Sequence, residues 1–385
     1  MTVSSENNET RTRSDRESDA DSVNKGDGTG NQSSSTKSFT ILALYKFVDS
    51  PMSADEVKKQ KEEIECELRR HKALGAILLS TEGINGTICY PIPTEQTNKS
   101  NGSIDPVYQF LEERFPGLRT RISTNPEPVF FRLRVRIKDE IVTMGVPKIS
   151  PVEKVGTYVN PGPDWDNLVN DPDCLVVDTR NDYEIEVGTF RHAVNPNTKS
   201  FTELPGWLEK KLKDSKAEKK PSKIAMFCTG GIRCEKATSY CLDLVEDQNI
   251  EVYHLKGGIL AYLDNVPAEK STFEGECYVF DQRTAVTYGL KPSEKYEQCH
   301  ACRHPLTPQD RQHPNFQPGT VCPYCRDDPD REMRRRRYET RQMHLKVAQE
   351  KGIVHLGGGK RRDAFRISRS GIPVSNCDNC RKSHS

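Results

Sequence analysis

The sequence predicts a multidomain α/β and α+β protein: a split βαββαβ domain, then an α/β domain on a parallel sheet, then a small module built around cysteines. Three observations lead there. Apolar strand-like runs and amphipathic helical stretches follow one another from Phe39 to Ile137 in the order β-α-β-β-α-β. Between Cys174 and Leu255, short apolar runs alternate with helix-length segments, the pattern of parallel strands joined by crossovers. Beyond about residue 270 the chain becomes turn-rich and Cys-rich, then Arg-rich, with C-x-x-C pairs at Cys299/Cys302 and Cys322/Cys325. A length of 385 residues accommodates such a division.

Residues 1–37 hold almost no large apolar side chain and cannot offset the entropy of ordering, so they are expected to be disordered. Phe39–Val48 reads as a buried strand. Ser53 is placed to cap a helix whose face carries Val57, Ile64 and Leu68, with Gly75 expected to end it. Ala76–Ser80 and Gly86–Tyr90 read as strands joined through Glu82-Gly83-Ile84-Asn85-Gly86, whose Asn-Gly pair suits positive φ in a tight turn. Val107–Phe115 follows as a helix and Val129–Ile137 as the last strand, giving a first domain over 38–146. The Pro-rich residues 147–163 read as a linker.

The second domain, 164–270, has strands at Cys174–Val177, Ile224–Phe227 and Val252–Leu255 and helices at Thr202–Lys213 and Cys234–Glu246. A cysteine module (271–330) and a basic tail (331–385), helical in part or disordered, complete the chain. No apolar run is long enough to span a bilayer. The acidic opening residues fit neither a secretory signal nor a transit peptide, so the cytoplasm is the expected location, with Lys360-Arg361-Arg362 leaving the nucleus open.

Thirteen cysteines, seven of them scattered and several inside apolar runs, do not form a disulfide framework; they fit a reducing compartment and thiol chemistry. The most informative stretch is Lys223–Ala237, KIAMFCTGGIRCEKA. An apolar strand runs directly into Cys228; Thr229, Gly230, Gly231, Ile232 and Arg233 follow, and a helix begins near Cys234. Loop amides and the positive end of a helix converge on such a sulfur and stabilise its thiolate or an anion attached to it. Arg233 adds a fixed positive charge. Cysteine phosphatases need Cys-x5-Arg to enclose a phosphate; the Cys-x4-Arg spacing here makes a tighter ring, suited to a smaller atom such as the outer sulfur of a persulfide.

The loop resembles that of rhodanese domains, and specifically the rhodanese-type tRNA uridine hydroxylase family. The resemblance extends over residues 38–326: Thr81–Ile88 (TEGINGTI), Asp173–Pro196 (DCLVVDTRNDYEIEVGTFRHAVNP), His254–Leu263 (HLKGGILAYL), Cys299–Asp310 (CHACRHPLTPQD) and Cys322–Cys325 (CPYC) carry it in order. Vertebrate rhodanese-like domain-containing thiosulfate sulfurtransferases are similar in the same way. The resemblance implies an acylphosphatase-like (ferredoxin-like) first domain, a rhodanese second domain, and Cys228 as a persulfide-forming residue. It further implies oxygen-dependent conversion of the wobble uridine of tRNA to 5-hydroxyuridine; transfer of sulfane sulfur from a donor to a thiol is the alternative. Asp178 and Arg180 match positions ending the first rhodanese strand and are expected as an ion pair that ties down the active-site helix. Cys234 either resolves an oxidised Cys228 as a disulfide or packs inward. Glu235 is expected to complement the helix N-terminus.

Cys299, Cys302, Cys322 and Cys325, two C-x-x-C pairs with 19 residues between them, supply four thiolates for a structural Zn2+. His300, His304 and His313 are not needed as ligands. A third pair, Cys377/Cys380, lies outside the family pattern and could serve a second metal or displace a ligand of the first. No dinucleotide fingerprint, facial triad or haem motif identifies an oxygen-activating cofactor. The chain carries 57 basic and 56 acidic residues, but residues 326–385 hold sixteen Lys or Arg against eight Asp or Glu. Within them Arg334, Arg335, Arg336 and Arg337 are candidate tRNA contacts through phosphate, and Arg132–Lys138 (RLRVRIK) offers a second basic surface. Oligomeric state is not legible.

Overall fold

A computed structural model describes residues 38–92, 105–146, 148–213, 220–318 and 320–327, with 332, 333, 335, 336, 338–340, 342 and 343. Expectations for residues 1–37, Arg334, Arg337, Lys360–Arg362, Cys377 and Cys380 lie outside the described residues. Among the described residues, no helix is long and apolar enough to cross a membrane.

The first domain runs β1 (Phe39–Phe47), α1 (Ala54–Arg70), β2 (Leu74–Ser80), β3 (Gly83–Pro91), α2 (Pro106–Arg114), β4 (Arg119–Asn125) and β5 (Leu133–Ile137). Its sheet order is β4-β1-β3-β2-β5, with β5 parallel to β2 and the other pairs antiparallel. The first four strands in that order make the split βαβ sandwich. Ser53 caps α1 in a reciprocal box with Glu56, as its sequence requires. Alternation along the strands sends Leu42, Leu44, Ile77, Leu79, Ile84 and Ile88 onto the helices, where Val57, Ile64, Leu68 and Leu111 meet them. Ile41, Ala43 and Tyr45 therefore face the other way.

Three expectations need correction here. The closing strand is β4, whose sequence RTRISTN offers one large apolar residue, Ile122, and that residue is exposed; the strand forms by pairing its backbone with β1. Leu133–Ile137 is a fifth strand, added at the opposite edge. Gly75 does not end the helix, which stops at Arg70; it lies in β2, where a Cβ would come within 2.2 Å of the Thr87 carbonyl oxygen. Asn85-Gly86 is likewise inside β3, opposite Leu78 and Ile77, and the turn is Thr81-Glu82 leading into Gly83 at φ +142°.

The second domain adds β6 (Thr157–Val159), α3 (Pro163–Asn170), β7 (Cys174–Asp178), α4 (Asp182–Ile185), β8 (Gly188–Phe190), α5 (Leu204–Lys213), β9 (Lys223–Phe227), α6 (Ile232–Leu244), β10 (Glu251–Leu255) and α7 (Gly258–Asn265). Its sheet, β6-β10-β9-β7, is parallel throughout. The expected linker thus contributes an edge strand, three residues being too few to show a period, and Pro163 opens a helix at its first position. Strand β9 alternates Ile224 and Met226 toward α5 and α6 with Ala225 and Phe227 toward α3 and α7, so both sheet faces are covered. The chain continues through β11 (Phe273–Gly275), which pairs with β8, then β12 (Cys277–Tyr278), β13 (Ala285–Val286), β14 (Glu297–Gln298), β15 (Pro305–Leu306) and α8 (Pro308–Gln312).

Candidate active site

Cys228 leaves β9 at the carboxyl end of the parallel sheet, where open α/β sheets place their ligand crevices. The next three residues turn back over its sulfur. Gly231 holds φ +101° and its N–H donates to Cys228 Sγ at 3.1 Å; a Cβ there would meet Tyr45 Oη at 3.0 Å. Glycine is therefore required twice, by backbone conformation and by space. From behind, α7 braces the loop: Ile259 N–H donates to Cys228 O at 2.9 Å and Leu260 N–H to Thr229 O at 3.0 Å. Gly258 makes this close approach possible, since a Cβ would sit 2.5 Å from Cys228 O.

The sulfur is fully buried, which by itself pushes the thiol pKa up. The Cys234 thiol, the Arg233 guanidinium and the amides of Cys234 and Gly231 outweigh burial and bring it down to about 6. Cys234, buried and donating to the Cys228 sulfur, is pushed well above the usual thiol range. Its sulfur also lies 3.6 Å from Thr179 Oγ1, which in turn donates to the Phe227 carbonyl at 2.9 Å.

Arg233 is not an isolated charge. Its two Nη atoms fork onto Glu184 at 2.7 and 2.8 Å, and Nη2 reaches Thr229 Oγ1 at 3.2 Å. Glu184 is completely buried; burial raises its pKa, but Arg233 more than offsets this and holds it below the ordinary range. The sequence reading missed Glu184, although Asn181-Asp182-Tyr183-Glu184 has capping-box spacing; Glu184 accepts from Asn181 N–H at 3.1 Å.

Asp178 and Arg180 form a buried ion pair, Nη2 to Oδ2 at 2.7 Å. The expectation that it ties down the active-site helix is corrected: Arg180 donates to Gly188 O and Asp178 accepts from Thr189 Oγ1 at 2.8 Å, so the pair fastens β7 to β8. Glu235, expected as a helix-end charge, instead accepts from Tyr45 Oη at 2.8 Å and pairs with Arg119 at 3.2 Å, both from the first domain. The neighbouring Lys236, also buried, binds Glu82 at 2.9 Å and Glu140 at 2.5 Å.

A cavity of about 980 Å3 opens between the helix-free sheet face of the first domain and the Cys228 loop. Ile41, Ala43 and Tyr45 line one wall and Cys228, Thr229, Gly230, Ile232 and Arg233 another. Cys228, Thr229, Gly230, Gly231, Ile232, Arg233 and Cys234 are thus gathered at one place, while Asp178 and Arg180 stand behind it.

The four remaining predicted cysteines gather elsewhere. The sulfurs of Cys299, Cys302, Cys322 and Cys325 all lie within 4.8 Å of one another, with Cys302–Cys322 at 3.7 Å and Cys322–Cys325 at 3.6 Å. A tetrahedron of ~2.3 Å metal–sulfur bonds has edges of about 3.8 Å, so the donors fit a metal ion. His304 is outside the cluster, stacked on Tyr324 and paired with Glu186 at 3.2 Å. Arg335 and Arg336 are exposed on a helical segment, both in ion pairs with Glu332.

Residues 39–141 match the UPF0176 acylphosphatase like domain and residues 164–265 the Rhodanese-like domain. A tRNA uridine(34) hydroxylase of Acaryochloris marina is 43% identical over 322 residues, 83% of this chain and 96% of that protein. The tRNA uridine(34) hydroxylase of Agrobacterium fabrum is 45% identical over 319 residues (83% and 95%), and that of Picosynechococcus 44% over 291 (75% and 90%). With both domains matched and identities of 43–45% over most of its length, the chain belongs to the tRNA uridine(34) hydroxylase family.

Proposed function

We propose that the protein hydroxylates uridine 34 of tRNA at C5, with Cys228 as the reacting thiol. The observation that carries this reading is the convergence of donors on Cys228 at the edge of a cavity shared by both domains. A thiolate is the form that adds to an electron-poor pyrimidine ring. Addition of Cys228 Sγ at C6 places the electron pair of the broken C5–C6 double bond at C5, which attacks molecular oxygen. Two electrons and two protons from a thiol reductant release the second oxygen atom as water; loss of the C5 proton and expulsion of the Cys228 thiolate restore the ring. Gly231 and Cys234, which stabilise the thiolate, also make it a good leaving group.

The same loop would hold a persulfide, and sulfur transfer is the competing chemistry. It needs neither the first domain nor the cysteine cluster, whereas Glu235 and Lys236 bind the active-site helix to the first domain directly. Arg233 acts as a positioning residue whose fork to Glu184 fixes the loop, and Asp178–Arg180 sets the β7–β8 connection behind it. Zn2+ is the metal suited to four thiolates in a tetrahedral set; held by Cys299, Cys302, Cys322 and Cys325 it would serve structure alone. The reaction belongs in the cytoplasm, where tRNA is available.

The test is mass spectrometry of tRNA nucleosides from cells lacking the protein, restored with wild type or Cys228→Ser. Return of 5-hydroxyuridine derivatives with wild type and not with the variant is expected. Unchanged nucleosides together with loss of thiosulfate cleavage would move the assignment to sulfur transfer.

A further inference from the structure

Six basic side chains line the cavity, and their partners divide them into two groups. Arg119, Arg121, Arg233 and Arg283 are each matched to a carboxylate: Glu235, Asp264, Glu184 and Asp281. The lining acids are equally committed, Asp281 to Arg283 and Glu140 to Lys236. Lys138 and Lys256 make no ion pair among the described residues, and both are exposed. They come from different domains. Lys138 follows β5, its N–H donating to Leu79 O; alternation places Arg134 and Arg136 on its side, opposite Val135, which packs on the helices. Lys256 follows β10 and stands two residues before Gly258, which lets α7 press on the Cys228 loop.

One aromatic ring is left over as well. Phe280 is 52% exposed, yet it lines the cavity and rests edge-on against Tyr278 at 5.2 Å between centroids. Its segment is anchored to the first domain by Gln282 N–H donating to Val129 O at 3.0 Å. A large ring held in place but left uncovered, lining the same cavity as two uncompensated cations, has the character of a single-stranded nucleic acid site: an aromatic face for a base, ammonium groups for phosphates.

We infer that the cavity takes one nucleotide everted from the tRNA anticodon loop, with an anticodon base stacked on Phe280 and the adjoining phosphates on Lys138 and Lys256. The inference rests on the proposed reaction, since a base paired or stacked within the loop cannot bring its ring to a buried sulfur. It also divides the labour between basic residues. Affinity at the reacting nucleotide comes from Lys138 and Lys256, whereas Arg335 and Arg336, already paired with Glu332, contribute general attraction at most.

The experiment uses full-length protein with a synthetic anticodon stem-loop carrying uridine at position 34. Phe280→Ala is expected to weaken binding about ten- to a hundredfold, the range for losing one stacked base, and to raise KM while kcat at saturation is retained. Phe280→Trp should restore it. Lys138→Gln and Lys256→Gln should each reduce the slope of log Kd against log salt by about 0.7. Unfolding midpoints matched to wild type certify that the variants are folded; the substituted side chains are exposed. Wild-type Kd and salt slope in all three variants would overturn the inference. The binding measurements remain decisive if the wild type makes no 5-hydroxyuridine, an outcome that would strike at the proposed reaction instead.

Discussion

Replacing Cys234 with alanine tests how the nucleophile is kept ionised. The Cys234 thiol donates to the Cys228 sulfur and is the largest of the influences that lower its pKa to about 6. A hydrogen bond to a charged acceptor contributes roughly 1.5–3 kcal/mol, and 1.36 kcal/mol corresponds to one pKa unit. Removing the donor should therefore raise the Cys228 pKa by about one to two units, to roughly 7–8. Since the thiolate is the form present above the pKa and lost below it, the change is concentrated at low pH. At pH 6 the ionised fraction falls from about one half to between roughly a tenth and a hundredth, whereas at pH 9 both proteins are ionised. The assay is the rate of iodoacetamide alkylation at Cys228, followed by peptide mass spectrometry between pH 4.5 and 9.5. Cys234→Ser keeps a donor at the same place and should stay near wild type, which separates hydrogen bonding from simple packing. A pH midpoint in the alanine variant equal to or below that of wild type would refute the argument.

Other perturbations probe the supports around the loop. Glu184→Gln leaves Arg233 buried without its carboxylate and should cost about 3–5 kcal/mol in urea unfolding, the range for breaking a buried pair. Lys236→Met strands Glu82 and Glu140 at the domain interface, and a loss of similar size is expected by calorimetry. Glu235 is buried and its pKa is raised, so the folded state holds its proton more tightly than the unfolded chain. Its contribution to stability is therefore greatest below the ordinary glutamate pKa and is lost as pH rises through the folded value; Glu235→Gln should flatten the melting temperature over that window. Stripping metal with a chelator should melt the module around Cys299 and Cys322, detected as four newly reactive thiols and a lower unfolding midpoint.

The parts legible in the sequence are those where one residue type does one local job. Ser53 and Glu56 announce a helix start, β9 reads as an apolar run, and the C-x-x-C pairs specify their own proximity. Illegible parts depend on a partner distant in the chain. Strand β4 has almost no apolar signal because it is defined by its pairing with β1, and β6 exists because β10 offers it an edge. Gly75 and Gly86 looked like punctuation, but their role is to let neighbouring backbones approach. At the site, spacing singled out Cys228 and Arg233 but not Glu184, which is 49 residues away from Arg233 and meets it only once α4 is folded. No local pattern could have revealed that Glu235 and Lys236 face another domain.

That last point explains why the first turn of α6 has the composition it does. Successive helix residues point about 100° apart. Arg233 is directed to Glu184 beneath the loop, Cys234 to Thr179 and the Cys228 sulfur, Glu235 to Tyr45 and Arg119, and Lys236 to Glu82 and Glu140. All four side chains are buried, three of them charged, so each charged one requires its partner in place. The helix that supplies donors to Cys228 is consequently fixed from the rhodanese side and from the first domain together. A shift of the first domain would move Glu235 and Tyr45, and with them Gly231, whose amide hydrogen bonds to the reactive sulfur. In this arrangement the first domain both forms a wall of the cavity and holds the nucleophile in register, which a free-standing rhodanese loop does not require.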